Sequence, residues 1–279
     1  MAREAGEFVF DLGGIGTALI FLLLALELAD RVTMKRDLEI AREIQHWLVP
    51  ERPPVVPGLV IACASRPQNT VAGDYYDAFL RRSSEGAPPS LIMVVADVAG
   101  KSVPAALLMA TFQASLHSLA ERPGSLEDLG SGVNRYTCAH SLEGLRFTTA
   151  FLAEYEPASR QFRFMNAGHN APFLRRASGE LERLSNGGIP FGIDSRVEYR
   201  SFPVEVRAGD LLIIFSDGLP EAVNQTGEEY GEARLQKRIE HFANEAADSV
   251  LAAIMTDVDA FVGPARQHDD ITCMAVRFT

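Results

Sequence analysis

The chain reads as an α+β domain built on two layers of antiparallel sheet, behind an N-terminal helical segment. Three observations predict this. Strand-like and helix-like segments come in blocks instead of alternating strictly, which disfavours a Rossmann-like parallel sheet. Seven segments carry the β-branched or aromatic content and the turn punctuation of strands. The 279 residues, 47% hydrophobic, suffice for one large packed domain with an appendage, or for two small ones.

Taken in order, the first element is the apolar run "LGGIGTALIFLLLAL" (12–26). As an uninterrupted run it is shorter than the ~20 residues that span a bilayer, and extending it to Phe8 and Ala29 admits Asp11 and Glu27. Arg31, Lys35 and Arg36 follow it, which would place its C-terminal side in the cytoplasm if it spans. The alternatives are a buried or dimerising helix. Only Arg3 precedes the run and no small-x-small site closes it, so a signal peptide is disfavoured. Met34, Leu38, Ala41, Gln45 and Leu48 then fall at alternating spacings of four and three, a heptad seam that predicts a linker helix. "VPERPPVVPG" (49–58) stops it, because proline lacks an amide proton and restricts its predecessor. The domain boundary is placed there, giving 1–50 as a hydrophobic segment with linker helix and 51–279 as the main domain.

Within that domain the expected strands are 59–65, 91–98, 149–156, 161–168, 198–206, 210–218 and 271–278, and the expected helices lie near 103–120, 125–141, 231–243 and 246–262. The helix after Asp97 opens with Ser102 as expected N-cap and Pro104 in its first turn, and is apolar over most of its circumference, as a core helix is.

A formal net charge of -11, with no Lys/Arg run interleaved with aromatics, argues against nucleic acid as a partner. Cys63, Cys138 and Cys273 lie far apart without a C-x-x-C pair, so neither a zinc knuckle nor a disulfide framework is indicated and a reducing cytoplasm fits. "GKS" (100–102) imitates the end of a phosphate-binding P-loop, but Val95 stands where that loop needs its first glycine.

The chemistry-bearing residues are acids at strand ends. "MVVAD" ends on Asp97, "IIFSDG" on Asp217 beside Gly218, and "QHDDIT" opens on Asp269 and Asp270. "VAGDYYDAF" (71–79) adds Asp74 and Asp77 behind Gly73. One such acid is ordinary turn chemistry. Several, without His or Cys companions, suit hard divalent cations such as Mg or Mn, which can share bridging carboxylates. His169 in "NAGHNAP" is a candidate general acid or a structural hydrogen-bonder, and His268 is placed to orient Asp269.

Eight blocks now stand in a recognisable order: "REIQHWLVPERPP", "VAGDYYDAF", "VVADVAGKSVPAALLMA", "FTTAFLAEYEP", "MNAGHNAPFLRR", "GGIPFGI", "LIIFSDGLPEAVN" and "HDDITCMAVRF". Over about 40–279 the chain resembles the PPM (PP2C-like) serine/threonine phosphatases, in the bacterial group of the sporulation phosphatase and the stress-response sigma-pathway regulators. The resemblance implies an α-β-β-α sandwich of two antiparallel sheets flanked by helices, and two Mn2+ or Mg2+ ions. It implies Asp74, Asp97, the Val98 carbonyl, Asp217 and Asp269 as metal ligands, with Asp97 bridging both ions and Asp97 and Asp217 as the catalytic acids. Gly73, Asp77, His169, His268 and Asp270 would stand behind them. The implied substrate is a phosphoserine or phosphothreonine on a protein like the anti-anti-sigma factors, the implied place a cytoplasmic domain, with residues 8–29 as a membrane attachment or the N-terminal helix as the seat of a homodimer. Ala72 and Ser102 replace common glycines and Pro220 a common threonine, none of them a ligand. A catalytically silent binding module and a carboxylate-metal nucleotidyl cyclase remain alternatives; intact acids disfavour the first and the ordered blocks the second.

Overall fold

A computed structural model describes residues 12–82, 88–140, 146–242 and 244–279. Phe8, Asp11 and the rest of 1–11 lie outside it. The chain divides into two compact units, Met1–Glu43 and Ile44–Thr279.

Helix α1, Leu12–Leu48, runs for 37 residues without a proline and ends two residues before Pro50. In the first unit its apolar side chains, among them Leu19, Phe21, Leu23 and Leu26, point outward. Its last turn belongs to the second unit, where Gln45 and Leu48 are half-buried.

The second unit contains two five-stranded sheets in which every pairing is antiparallel. The first sheet orders β1 (Leu59–Arg66), β10 (Ile271–Phe278), β9 (Leu211–Phe215), β6 (Phe173–Arg175) and β7 (Leu181–Arg183). The second orders β2 (Tyr75–Arg81), β3 (Ser90–Val98), β4 (Thr148–Glu156), β5 (Gln161–Ala167) and β8 (Phe202–Val204). Alternation along each strand supplies two apolar faces. Met93, Val95, Phe151 and Phe164 meet Ile214 and Met274 between the sheets. The opposite face of the first sheet packs Ile213, Phe215 and Cys273 under α4 (Glu232–His241) and α5 (Ala247–Val262). That of the second packs Ile92, Val94 and Leu152 under α2 (Ser102–Ala120) and α3 (Leu126–Ala139). The result is the expected α-β-β-α sandwich.

Helix α2 is long and apolar enough to cross a membrane by composition alone. Its Met109, Phe112 and Leu116 are instead buried against the second sheet, which is what an apolar stripe does in a packed core. The expected N-cap at Ser102 shifts: Lys101 occupies the cap, and Ser102 takes a left-handed φ of 63°. Three strands were not expected. β6 and β7 have three residues each, too few for a periodic signal, and β2 coincides with the acid-rich stretch. The expected strand at 198–206 shrinks to three residues because Pro203 cannot donate to a ladder and confines β8 to an edge.

Candidate metal centre

The acids reach one end of the sandwich from four chain segments. Asp74 precedes β2, Asp97 lies near the end of β3, Asp217 follows β9, and Asp269 and Asp270 form the turn into β10. β2 and β3 belong to one sheet, β9 and β10 to the other, so the site straddles the joint between the layers.

Asp270 organises the joint. Its Oδ1 accepts the Gln68 amide at 2.6 Å, and its Oδ2 accepts the amides of Gly73 at 2.6 Å and Asp74 at 3.4 Å. A carboxylate holding three backbone amides fixes the loop that presents Asp74. Two glycines permit this approach. A Cβ on Gly218 would overlap the Asp270 carbonyl, and one on Gly73 would sit 3.3 Å from the Val98 carbonyl oxygen and 3.2 Å from Ala105 Cβ. The Val98 carbonyl thus lies against Gly73, the residue whose amide Asp270 holds. Ser216, one residue before Asp217, donates to Asp74 Oδ2 at 2.7 Å and receives the Thr272 amide at 3.0 Å on its hydroxyl.

The carboxylates strain against one another. Burial first, and then the negative charge of Asp97, hold Asp74 well above the carboxylate range. Burial, followed by Asp217, Asp269 and Asp270, pushes Asp97 up to about 7, with a hydrogen bond from Asp74 acting in the opposite direction. Burial and then Asp269 raise Asp217. A set of oxygen donors with this mutual repulsion is the donor chemistry of a hard divalent cation, whose charge would lower every one of these values. The residues fit such ions in kind, although among the described residues no three of these side chains converge on one point.

The cluster has one ionic partner among the described residues. Lys101 Nζ lies 3.1 Å from Asp269 Oδ2 and donates to the His268 carbonyl at 2.8 Å. His268 thus enters through its backbone. Beside this pair a cavity of about 210 Å³ is lined by residues that include Arg66, Lys101, Glu221, Gln267, His268 and Asp269.

His169 is buried one layer below. Its Nδ1 lies 2.9 Å from Thr149 Oγ1, and Thr149 is the β4 partner of Asp97. Nε2 is buried near the Phe215 carbonyl, outside hydrogen-bond geometry. Burial lowers the imidazole to about 4, so it is neutral near pH 7 and suited to positioning more than to proton delivery. Asp77 points elsewhere. β2 turns Tyr75 and Asp77 to the α2 side, where Asp77 Oδ2 accepts Tyr75 Oη at 2.5 Å and lies 2.6 Å from His117 Nε2. The two acids of "GDYYD" are thereby separated, Asp74 toward the joint and Asp77 toward a helix.

Sequence reasoning missed Gln45, Ser216 and Lys101. Ser216 adjoins a recognised acid and Lys101 sits in the rejected P-loop imitation, so each carried a positional signal; Gln45, whose carboxamide hydrogen-bonds the backbone of Ala72 two residues before Asp74, carried none.

Residues 88–279 match the family described as Stage II sporulation protein E (SpoIIE). Phosphoserine phosphatase RsbU of Bacillus subtilis (strain 168) is 28% identical over 245 residues, covering 88% of this chain and 70% of that protein. The SiaA-PP2C domain of Pseudomonas aeruginosa shares the fold at a TM-score of 0.75 and 21% identity, over 90% of this chain and 99% of that one. RsbX, solved in complex with magnesium, shares it at 0.57 and 16%, over 81% and 98%.

Proposed function

Because the chain belongs to the Stage II sporulation protein E (SpoIIE) family, we propose that it is a metal-dependent protein serine/threonine phosphatase that hydrolyses a phosphoserine or phosphothreonine ester on a regulatory protein. The observation that carries this reading is the gathering of Asp74, Asp97, Asp217 and Asp269 at one end of the joint between the two sheets, where the raised pKa values of Asp74, Asp97 and Asp217 are ones a cation would relieve. The similarity to a phosphoserine phosphatase supports the substrate class, and the magnesium complex of a fold neighbour supports the ion class.

Asp74, Asp97, Asp217, Asp269 and the Val98 carbonyl would hold two Mn2+ or Mg2+ ions, Asp97 touching both. Bound there, the ions would polarise the phosphoryl group and lower the pKa of the attacking water. The chain's own part is placement. Asp270 and Ser216 hold Asp74, Gly73 and Gly218 allow backbone to approach, and the half-open cavity beside Asp269 receives the substrate segment. Direct attack by water requires no covalent enzyme intermediate.

The substrate we infer is a phosphorylated anti-anti-sigma-like protein. The domain would work in the cytoplasm, with residues 8–29 as membrane attachment or the N-terminal helix joining two copies. The test is phosphate release from candidate phosphoproteins with Mn2+, with Mg2+ and after chelation. Full turnover in chelated protein would sink the metal reading, and none under any condition would favour a silent binding module.

A further inference from the structure

We propose that Lys101 is a built-in competitor for the metal position at Asp269: its ammonium neutralises that carboxylate in the metal-free chain and must leave before a divalent cation can take it. The inference rests on the reading above, in which Asp269 is a metal ligand.

Two features of the turn carry it. The ammonium is gripped at two points, Asp269 Oδ2 at 3.1 Å and the His268 carbonyl at 2.8 Å, so its place is specified and not a chance surface pairing. The backbone that delivers it is unusual. Gly100 and Ser102, on either side of Lys101, have φ of 129° and 63°, and Ser102 holds the left-handed region with a side chain present. Such conformations persist where the surroundings demand them. Among the described residues no other ion pair touches Asp74, Asp97, Asp217, Asp269 or Asp270.

An ammonium and a divalent cation cannot share one face of the same carboxylate at contact distance. The lysine is equipped to yield: its side chain is 56% exposed, and rotation about its four-carbon stem moves the charge into the adjoining cavity without altering the turn. Exposure keeps the exchange cheap, because a solvent-screened pair of this kind contributes little. The expected outcome is a second ion held more weakly than the ligands alone would dictate, so that filling of the site follows the divalent-ion concentration.

The test is calorimetric titration of Mn2+ into the full chain, with Lys101→Met, Lys101→Gln and Lys101→Arg compared with the unsubstituted protein and melting curves taken with and without Mn2+. Both neutral variants are expected to bind the weaker ion about three- to fivefold more tightly and to show a larger Mn2+-induced rise in melting temperature, while Lys101→Arg stays within about twofold of the original. Unchanged or weaker binding in the neutral variants would overturn the proposal, because the lysine would then be inert or would support Asp269. Tightening in Lys101→Arg equal to that in Lys101→Met would overturn it too, since the effect would then come from the turn and not from the charge. If the unsubstituted chain takes up no Mn2+, it is the metal reading itself that fails.

Discussion

The carboxamide of Gln45 closes two hydrogen bonds on the backbone of Ala72, Nε2 donating to its carbonyl at 2.7 Å and Oε1 accepting its amide at 2.9 Å. Ala72 is two residues from Asp74, so the last turn of α1 is tied to the loop that presents a candidate ligand. Gln45→Ala leaves both backbone groups without that partner and should cost about 1–2 kcal/mol of stability together with a drop in phosphatase rate. Gln45→Glu can accept the amide but sets a carboxylate against the Ala72 carbonyl, so it should be no milder. Melting curves beside phosphate release check this. Unaltered rate in folded Gln45→Ala would show the tie to be idle.

Truncation separates that tie from any role of the long helix in association. A chain beginning at Ile44 keeps Gln45, whereas one beginning at Glu51 loses it. Both should lose the homodimer proposed for the N-terminal helix, read as mass in solution, while only the shorter should also lose the contribution of Gln45 to rate. Identical mass and identical rate across all three lengths would refute both roles.

Amide substitutions rank the acids. Asn keeps the size of Asp without its charge, so Asp97→Asn and Asp217→Asn should fold and lose more than the roughly 10- to 100-fold that partners behind a ligand typically cost. High Mn2+ should partly rescue Asp217→Asn and not Asp97→Asn, whose carboxylate is proposed to serve both ions. Asp77→Asn should instead lower stability through Tyr75 and His117, with a smaller loss of rate. A Mn2+ titration of phosphate release for the three variants decides the order, and near-normal turnover by folded Asp97→Asn would remove the two-ion assignment.

His169 gives a pH dependence of known sign. Its folded pKa, about 4, lies below the ordinary 6.5, so the unfolded chain binds the extra proton first. Stability contributed by the neutral ring is complete above pH 6.5 and falls as pH drops toward 4, by on the order of 3 kcal/mol for a shift of this size. His169→Gln should flatten that part of the stability profile measured by denaturant unfolding between pH 7 and 4. A profile unchanged by the substitution would place the acid sensitivity elsewhere.

Gly218→Ala should be more damaging than Gly73→Ala. At Gly218 the added methyl overlaps the Asp270 carbonyl, and moving that backbone disturbs the carboxylate that holds Gln68, Gly73 and Asp74. A loss of about 1–3 kcal/mol or more is expected, against less than about 1 kcal/mol at Gly73, where the contacts are only tight. Equal melting temperatures for the two variants would contradict this account of the joint.

Local patterning in the sequence determined most of the framework. Short runs rich in β-branched and apolar residues between turn signals, such as 91–98 and 271–278, read as strands, heptad and amphipathic spacings set the helices, and Pro50 set where α1 ends, because each signal depends on neighbours along the chain. The acids at strand ends were legible for the same reason. Which of them meet was decided by the tertiary structure. The pleat of β2 sends Asp77 to α2 while Asp74 stays at the joint, the antiparallel order of ten strands brings 74, 97, 217 and 269 to one end, and Gln45, Lys101 and Ser216 acquire their partners only across the fold. Contacts between residues 27, 168 and 142 positions apart leave no periodicity in the chain, since they exist only once two packed layers have fixed where every loop must end.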